Sequence, residues 1–291
     1  MFGAFVNRIG SLLDRRFLVG SWLPALCGLL VATTAYAVAH GWRRTAAEWT
    51  GLGAPAQIWL GVAALAVVTL GGFLLHVTPV IRLFEGYPLP GWLRRWGRAR
   101  QEKRRAKAGE VTSLRRYPRN RELIRPTLLG NVLTAAEEHP YLRYRIDAVV
   151  WWPRMAPVLP QVMRDQLDEA LLPLLSLLNF ALAFGIGGLA GGIALAVSTK
   201  WTYTAICLAG TVFAVLVAYY CALPQARSYA DTLRAAFDLY RHEVLKTMHV
   251  PLPDDLVAER KRWEELTQWI FRGEPLQLEY DHPSDEDDEE S

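Results

Sequence analysis

Cysteine is scarce. Cys27, Cys207 and Cys221 are the only three in 291 residues, each lies inside an apolar run, and they form neither a CxxC pair nor a metal-type spacing. That excludes a disulfide framework and leaves them as small buried hydrophobes. Lysine is almost as rare. Only Lys103, Lys107, Lys200, Lys246 and Lys261 are present, so arginine supplies 27 of the 32 basic residues. With the richness in Ala, Leu and Val, this is the compositional mark of a GC-rich bacterial genome. The chain also lacks HExxH, GxxxxGK[ST] and GxSxG, and no glycine-rich loop follows a predicted strand. The familiar signatures of zinc peptidases, P-loop nucleotide hydrolases and serine hydrolases are therefore absent. No set of metal ligands is predicted, and no cofactor.

The most telling absence is charge, which is missing from long stretches of a chain that is 52% hydrophobic with mean hydropathy +0.10. Phe17–Ala39, Leu171–Thr199 and Thr202–Leu223 carry no charged residue, and Ile58–Ile81 carries one ionisable group, His76. A bilayer core about 30 Å thick takes ~20 apolar helical residues to cross. None of these runs alternates as a spanning strand would. Ala35-Tyr36-Ala37 resembles a signal-peptidase site, but the run before it exceeds a secretory h-region of about 7–15 residues. The first run therefore reads as a retained span. The expected fold class is an all-α membrane protein with four transmembrane helices, a cytosolic loop domain and a cytosolic C-terminal helical region.

Orientation follows from where the basic residues fall. The segment 82–170 holds 18 Lys and Arg and the segment after Leu223 holds 8, whereas residues 40–57 hold only Arg43 and Arg44 and the hairpin between the last two spans only Lys200. The positive-inside rule then puts both termini and the large loop in the cytoplasm. The expected layout is a cytosolic head (1–16), a span (17–39), an external loop (40–57), a span (58–81) and a cytosolic basic strip with a small domain (82–170). Two further spans (171–199 and 202–223), cytosolic helices (224–273) and an acidic tail (274–291) follow. The tail is nearly without apolar residues from Asp281 on and is expected to be disordered.

The polar segments carry opposite charge. Residues 82–170 hold 18 bases against 10 acids, and residues after Leu223 hold 17 acids against 8 bases. This complementarity predicts that the two pieces dock. The basic strip Trp92–Arg125 places Trp92 and Trp96 four apart, on one helical face, as an amphipathic strip on anionic lipid would. Trp151, Trp152 and Arg154 are a second candidate interface anchor. His139-Pro140 is expected to close a short helix that begins near Asn131. Prolines 153, 157 and 160 are expected to prevent a long helix before a new one starts at Gln161. Beyond Pro224, Tyr229, Leu233, Phe237, Tyr240, Val244 and Met248 form the apolar stripe of a separate helix, ended by Pro251 and Pro253. Asp254-Asp255 then cap a last helix over Leu256–Phe271.

Candidate chemistry is sparse. Glu137, Glu138 and His139 with Asp147 form the densest cluster of groups able to move a proton or hold a divalent ion, so they are the candidate catalytic residues. The spacing matches no ligand pattern, and the acids serve equally as a solvated helix end. His76 is the sole candidate for titration within a span, with a place at the interface beside Pro79 as the plainer reading. Gly187 with Gly191, and Gly188 with Gly192, are two GxxxG pairs that permit close helix approach, within the chain or in a homo-oligomer.

The stretch Gly130–Tyr141, with Tyr144–Val150, Trp152–Arg154 and Arg234–Arg241, resembles a pattern found in bacterial integral membrane proteins of unassigned function. The resemblance implies four spans and brings no activity. The expected location is the bacterial cytoplasmic membrane, with anionic lipid headgroups and a cytosolic protein as partners and nucleic acid disfavoured. The favoured function is a membrane-anchored interaction or regulatory module. An oligomeric channel and a membrane-embedded enzyme are the alternatives.

Overall fold

The computed structural model describes residues 17–77 and 79–273. The cytosolic head and the acidic tail expected from the sequence lie outside the described residues. In chain order, a π-turn (Leu18–Trp22) leads into α1 (Leu23–His40), α2 (Trp42–Gly51), α3 (Ala54–Val77) and α4 (Val80–Glu85). Then come α5 (Gly91–Lys107), α6 (Glu110–Arg116), a 3-10 turn (Arg121–Leu123), α7 (Leu128–Tyr144) and α8 (Ala148–Val158). The last three are α9 (Gln161–Val197), α10 (Trp201–Thr247) and α11 (Leu256–Arg272). Among the described residues there is no strand. Four helices are long and apolar enough to cross a membrane: Leu18–His40, α3, α9 and α10. The second span begins at Ala54 rather than Ile58 and ends at Val77, because Pro79 cannot continue it. The segment expected as an external loop contains α2, braced by Arg44 and Glu48 at 3.0 Å, one helical turn apart.

The chain divides into two compact units. One combines the first two spans with residues 171–225. Its helices approach closely through glycine. A Cβ at Gly28 would stand 2.7 Å from the Ala183 carbonyl oxygen, and one at Gly191 would stand 2.6 Å from the Ala35 Cβ. Gly187 meets the Gly28 backbone in the same way, so the face of α9 that carries Gly187 and Gly191 is occupied by α1. The adjoining face is occupied by α10. Gly188 abuts Thr211 there, and a Cβ at Gly192 would stand 2.8 Å from Leu208 Cδ2. The sequence left the partner of these glycines open between this chain and a second copy. All four, Gly192 included, are used inside the chain. Lys200, in the hairpin between α9 and α10, donates to the Val38 carbonyl oxygen at 2.5 Å, placing a cation on the last turn of α1 where the helix dipole is negative.

A buried amide repairs a proline in this unit. Pro24 has no N–H, so it cannot serve the Gly20 carbonyl as the residue four ahead ordinarily does. Asn179 of α9 supplies the missing donor, with Nδ2 2.7 Å from the Gly20 oxygen, and reaches Ser21 Oγ at 3.4 Å. In a solvent that offers no hydrogen bonds, such a carbonyl needs a partner from the protein.

The other unit joins residues 88–170 to the chain from Ala226 on, and the described part of that second piece, up to Gly273, holds 8 acids and 8 bases after Leu223, the acidic excess lying in residues 274–291 outside the described residues. Its centre is apolar. Trp151 and Trp263 meet edge to face at 4.7 Å, and Trp151 Nε1 donates to Thr267 Oγ1 at 2.8 Å. Phe237, Ile146, Met155, Leu245 and Leu266 complete the core. Trp151 is 1% exposed and belongs to this core, not to a lipid interface. Trp152 is half-buried beside Phe237, and the exposed Arg154 donates to the Val150 carbonyl and lies over Trp151.

Prolines break fewer helices than their positions suggest. α7 runs through Pro140 to Tyr144 and α10 runs unbroken through Pro224, whereas α8, with Pro153 and Pro157 inside it, stays short and ends at Val158 before α9 starts at Gln161 as expected. An interior proline costs about 3 kcal/mol in a helix without tertiary support. Here small residues near the prolines are buried: Ala136, four before Pro140, and Ala222 and Ala226, on either side of Pro224, are all fully inaccessible. The expected stop at Pro251–Pro253 and the cap do occur, with Asp255 accepting from the Val257 and Ala258 amides.

Candidate functional site

The candidate catalytic cluster separates once folded. Asp147 is the N-cap of α8, accepting from the Val149 and Val150 amides at 2.9 and 3.2 Å. Glu138 accepts from the Arg119 and Asn120 backbone amides at 2.5 and 3.0 Å, tying the turn after α6 to α7. Glu137 raises the pKa of Tyr229 through its charge, after the larger effect of burial. His139 keeps a side-chain pairing suited to proton movement. Its Nε2 lies 2.8 Å from Asp238 Oδ1, which also accepts from the Tyr144 hydroxyl at 2.9 Å. Burial, and then the bond to Asp238, push the Tyr144 pKa upward, so it stays a neutral donor.

The network continues through Arg241 of α10. Its guanidinium sits 4.0 Å from the Tyr144 ring centroid, bonds the Asp238 carbonyl, and pairs with Glu259 of α11 at 2.6 Å. Glu259 is 4% exposed and accepts also from His242 Nε2 at 3.1 Å and Trp263 Nε1 at 3.4 Å. Sequence reasoning missed Asp238, Arg241 and Glu259. A carboxylate buried on an apolar helix face leaves no local signal when its partners lie 17 and 18 positions earlier in the chain. These contacts close α7, α10 and α11 on one another, and every acid in the network meets a donor.

His139 also lines a cavity of about 370 Å³ with Leu114, Arg115, Tyr117, Glu138, Arg143 and Arg234 among its walls. A histidine held by a carboxylate can act as a base, but nucleophilic catalysis also needs an activated hydroxyl or thiol within reach. Among the described residues, Tyr117 is the wall's only hydroxyl. Its own bond is to Gln101 at 3.3 Å, and burial raises its pKa, so it is a poor nucleophile. Among the described residues no group of three or more His, Cys, Asp or Glu could hold a metal ion.

The basic strip is a folded element. α5 packs Gly97 against Pro126 and buries Gln101, while Arg98 and Arg105 bond the Glu122 and Arg119 carbonyls. Trp92 and Trp96 remain 66% and 61% exposed on its outer face. His76 is exposed at the end of α3, edge to face with Phe17 at 5.8 Å.

A second, apolar concavity of about 630 Å³ lies among α8, α10 and α11, walled by Val158, Val244, Met248, Trp269 and Ile270, with Thr247 and the single charge of Arg154. Comparison of the chain with protein-family models, curated proteins and solved structures gave no match.

Proposed function

We propose that this protein is a membrane-anchored interaction module whose polar helical unit lies in the cytoplasm and binds a partner protein. The basic residues at 82–170 support that orientation through the positive-inside rule. The arginine-rich, lysine-poor composition supports a bacterial cytoplasmic membrane.

The observation that carries the reading is the apolar groove walled by Val158, Val244, Met248, Trp269 and Ile270. Trp269 keeps 38% of its surface exposed there. An apolar concavity open at the surface of a folded unit is a surface awaiting cover. Its lone charge, Arg154, selects an acidic neighbour. The occupant we infer is an amphipathic helix of another protein, laying an apolar stripe in the groove and an acidic side chain on Arg154.

A photo-crosslinking residue at Met248, in the full chain in its native membrane, tests this. The reading expects one discrete adduct with a second polypeptide, lost on Ile270→Asp and weakened on Arg154→Glu. Adducts only with lipid, with a second copy of this chain or with its own residues 274–291 would overturn it.

A further inference from the structure

Arginines on α6 and α10 converge without acids to match them. Val111, Arg115 and Arg116 of α6 face Arg227, Asp231 and Arg234 of α10 across a cavity of about 300 Å³. Four guanidinium groups thus share the space with one carboxylate. That carboxylate is already committed, since Asp231 pairs with Arg234 at 2.7 Å, and Arg234 also donates to the Arg115 carbonyl oxygen at 3.2 Å. Among the described residues, Arg115, Arg116 and Arg227 make no side-chain ion pair, and Arg227 Nε is buried with no acceptor. Burial and then the Arg116 charge lower the pKa of Arg227, the direction expected of a cation held without a counter-ion.

Such an arrangement costs the empty unit stability, because a buried donor with no acceptor and like charges at close range are both unfavourable, and a bound anion would relieve both. Guanidinium forks match the paired oxygens of phosphate. The position on α10 narrows the source. Arg227 lies four residues beyond Leu223, the last residue of the uncharged run, which is about 6 Å along a helix. The polar layer on each side of a bilayer core is about 5–8 Å deep.

We propose that Arg115, Arg116, Arg227 and Arg234 form a binding site for a phosphate-bearing anion, which either a phospholipid headgroup or a soluble phosphate compound can supply. The site is distinct from the apolar groove and does not rest on the protein-partner reading.

The test uses the full chain in detergent micelles with two probes, fluorescent phosphatidylglycerol and inorganic pyrophosphate. Tight binding of the lipid that excess pyrophosphate does not displace marks a headgroup site, and displacement by pyrophosphate marks a site open to soluble phosphates. In either case Arg227→Gln and Arg116→Gln should each weaken binding about tenfold, the effect of losing one charge-assisted contact. Arg94→Gln, on α5 outside the cavity, should leave it unchanged. Val111→Trp keeps every charge and fills the mouth, so it should also weaken binding and guards against misfolding of the arginine variants. Binding of neither probe, or equal loss from Arg94→Gln and Arg227→Gln, overturns the proposal.

Discussion

Replacing Asn179 by leucine removes the donor that reaches the Gly20 carbonyl in place of Pro24. Hydrogen bonds between helices within a membrane contribute ~0.6 kcal/mol on average and up to ~1.7. A buried carbonyl left unpaired costs about 1–3 kcal/mol. Against this, Asn179 Oδ1 itself is buried without a partner, and leucine removes that burden. The net expectation is a loss of about 1–2 kcal/mol, or ~3–6 °C in melting temperature for a unit of this size. The second corner of the cycle distinguishes this cause from a packing defect. Pro24→Ala restores an N–H to the helix, so the double variant, Pro24→Ala with Asn179→Leu, should melt at the native temperature or above it. Melting in micelles can be followed by thiol exposure, since Cys27 and Cys207 are half-buried in the spans and Cys221, which is exposed, can be replaced by serine. If Asn179→Leu melts with the native chain, or if Pro24→Ala leaves the double variant as unstable as the single, the reasoning fails.

Glu259→Gln leaves Arg241 without its buried carboxylate and should cost about 2–4 kcal/mol, read as a lower denaturant midpoint in tryptophan fluorescence. Arg241→Met combined with Glu259→Leu should cost less than the two single changes summed. Gly187→Leu should lower the melting temperature far more than Gly185→Leu, because Gly187 abuts the Gly28 backbone whereas the nearest atom to a Cβ at Gly185 is Val215 Cγ2 at 3.9 Å. The pKa values of Tyr117, Tyr144 and Tyr229 lie above the ordinary 10.0 in the folded chain, burial being the first cause in each. Their contribution is therefore complete below pH 10 and is lost as the pH rises through the folded values. Alkaline melting curves should steepen there, and Tyr144→Phe should flatten them.

The spans were legible because lipid imposes a length and a composition that no folded neighbour can disguise. The last helix and its Asp255 cap were legible for a similar reason, as capping is local chemistry. The glycine pairs were legible as close-approach faces, but which helix meets Gly187 or Gly192 is set by how the spans assemble, and spacing along α9 is silent on that. Prolines 140 and 224 misled because their cost is local while the burial that offsets it comes from distant helices, whereas prolines 153, 157 and 160 do keep α8 short. Asp147 was legible only as a carboxylate. A cap and a catalytic acid look alike in sequence, and the structure gives Asp147 the cap, through the Val149 and Val150 amides. The arginine cavity was half visible. Arg115 and Arg116 belong to the basic strip that the sequence displays, but Arg227 and Arg234 lie more than 100 residues later and looked like ordinary polar positions of an amphipathic helix.

The proposed function rests on a polar helical unit anchored at the cytoplasmic face by four spans. Substituted-cysteine labelling tests that most directly. With the three native cysteines replaced, Glu48→Cys on α2 and Glu110→Cys on α6 are treated with a membrane-impermeant maleimide in spheroplasts and again after permeabilisation. The account predicts that Glu48→Cys labels at once and Glu110→Cys only after permeabilisation. Labelling of Glu110→Cys in intact spheroplasts, or of both positions alike, would contradict it.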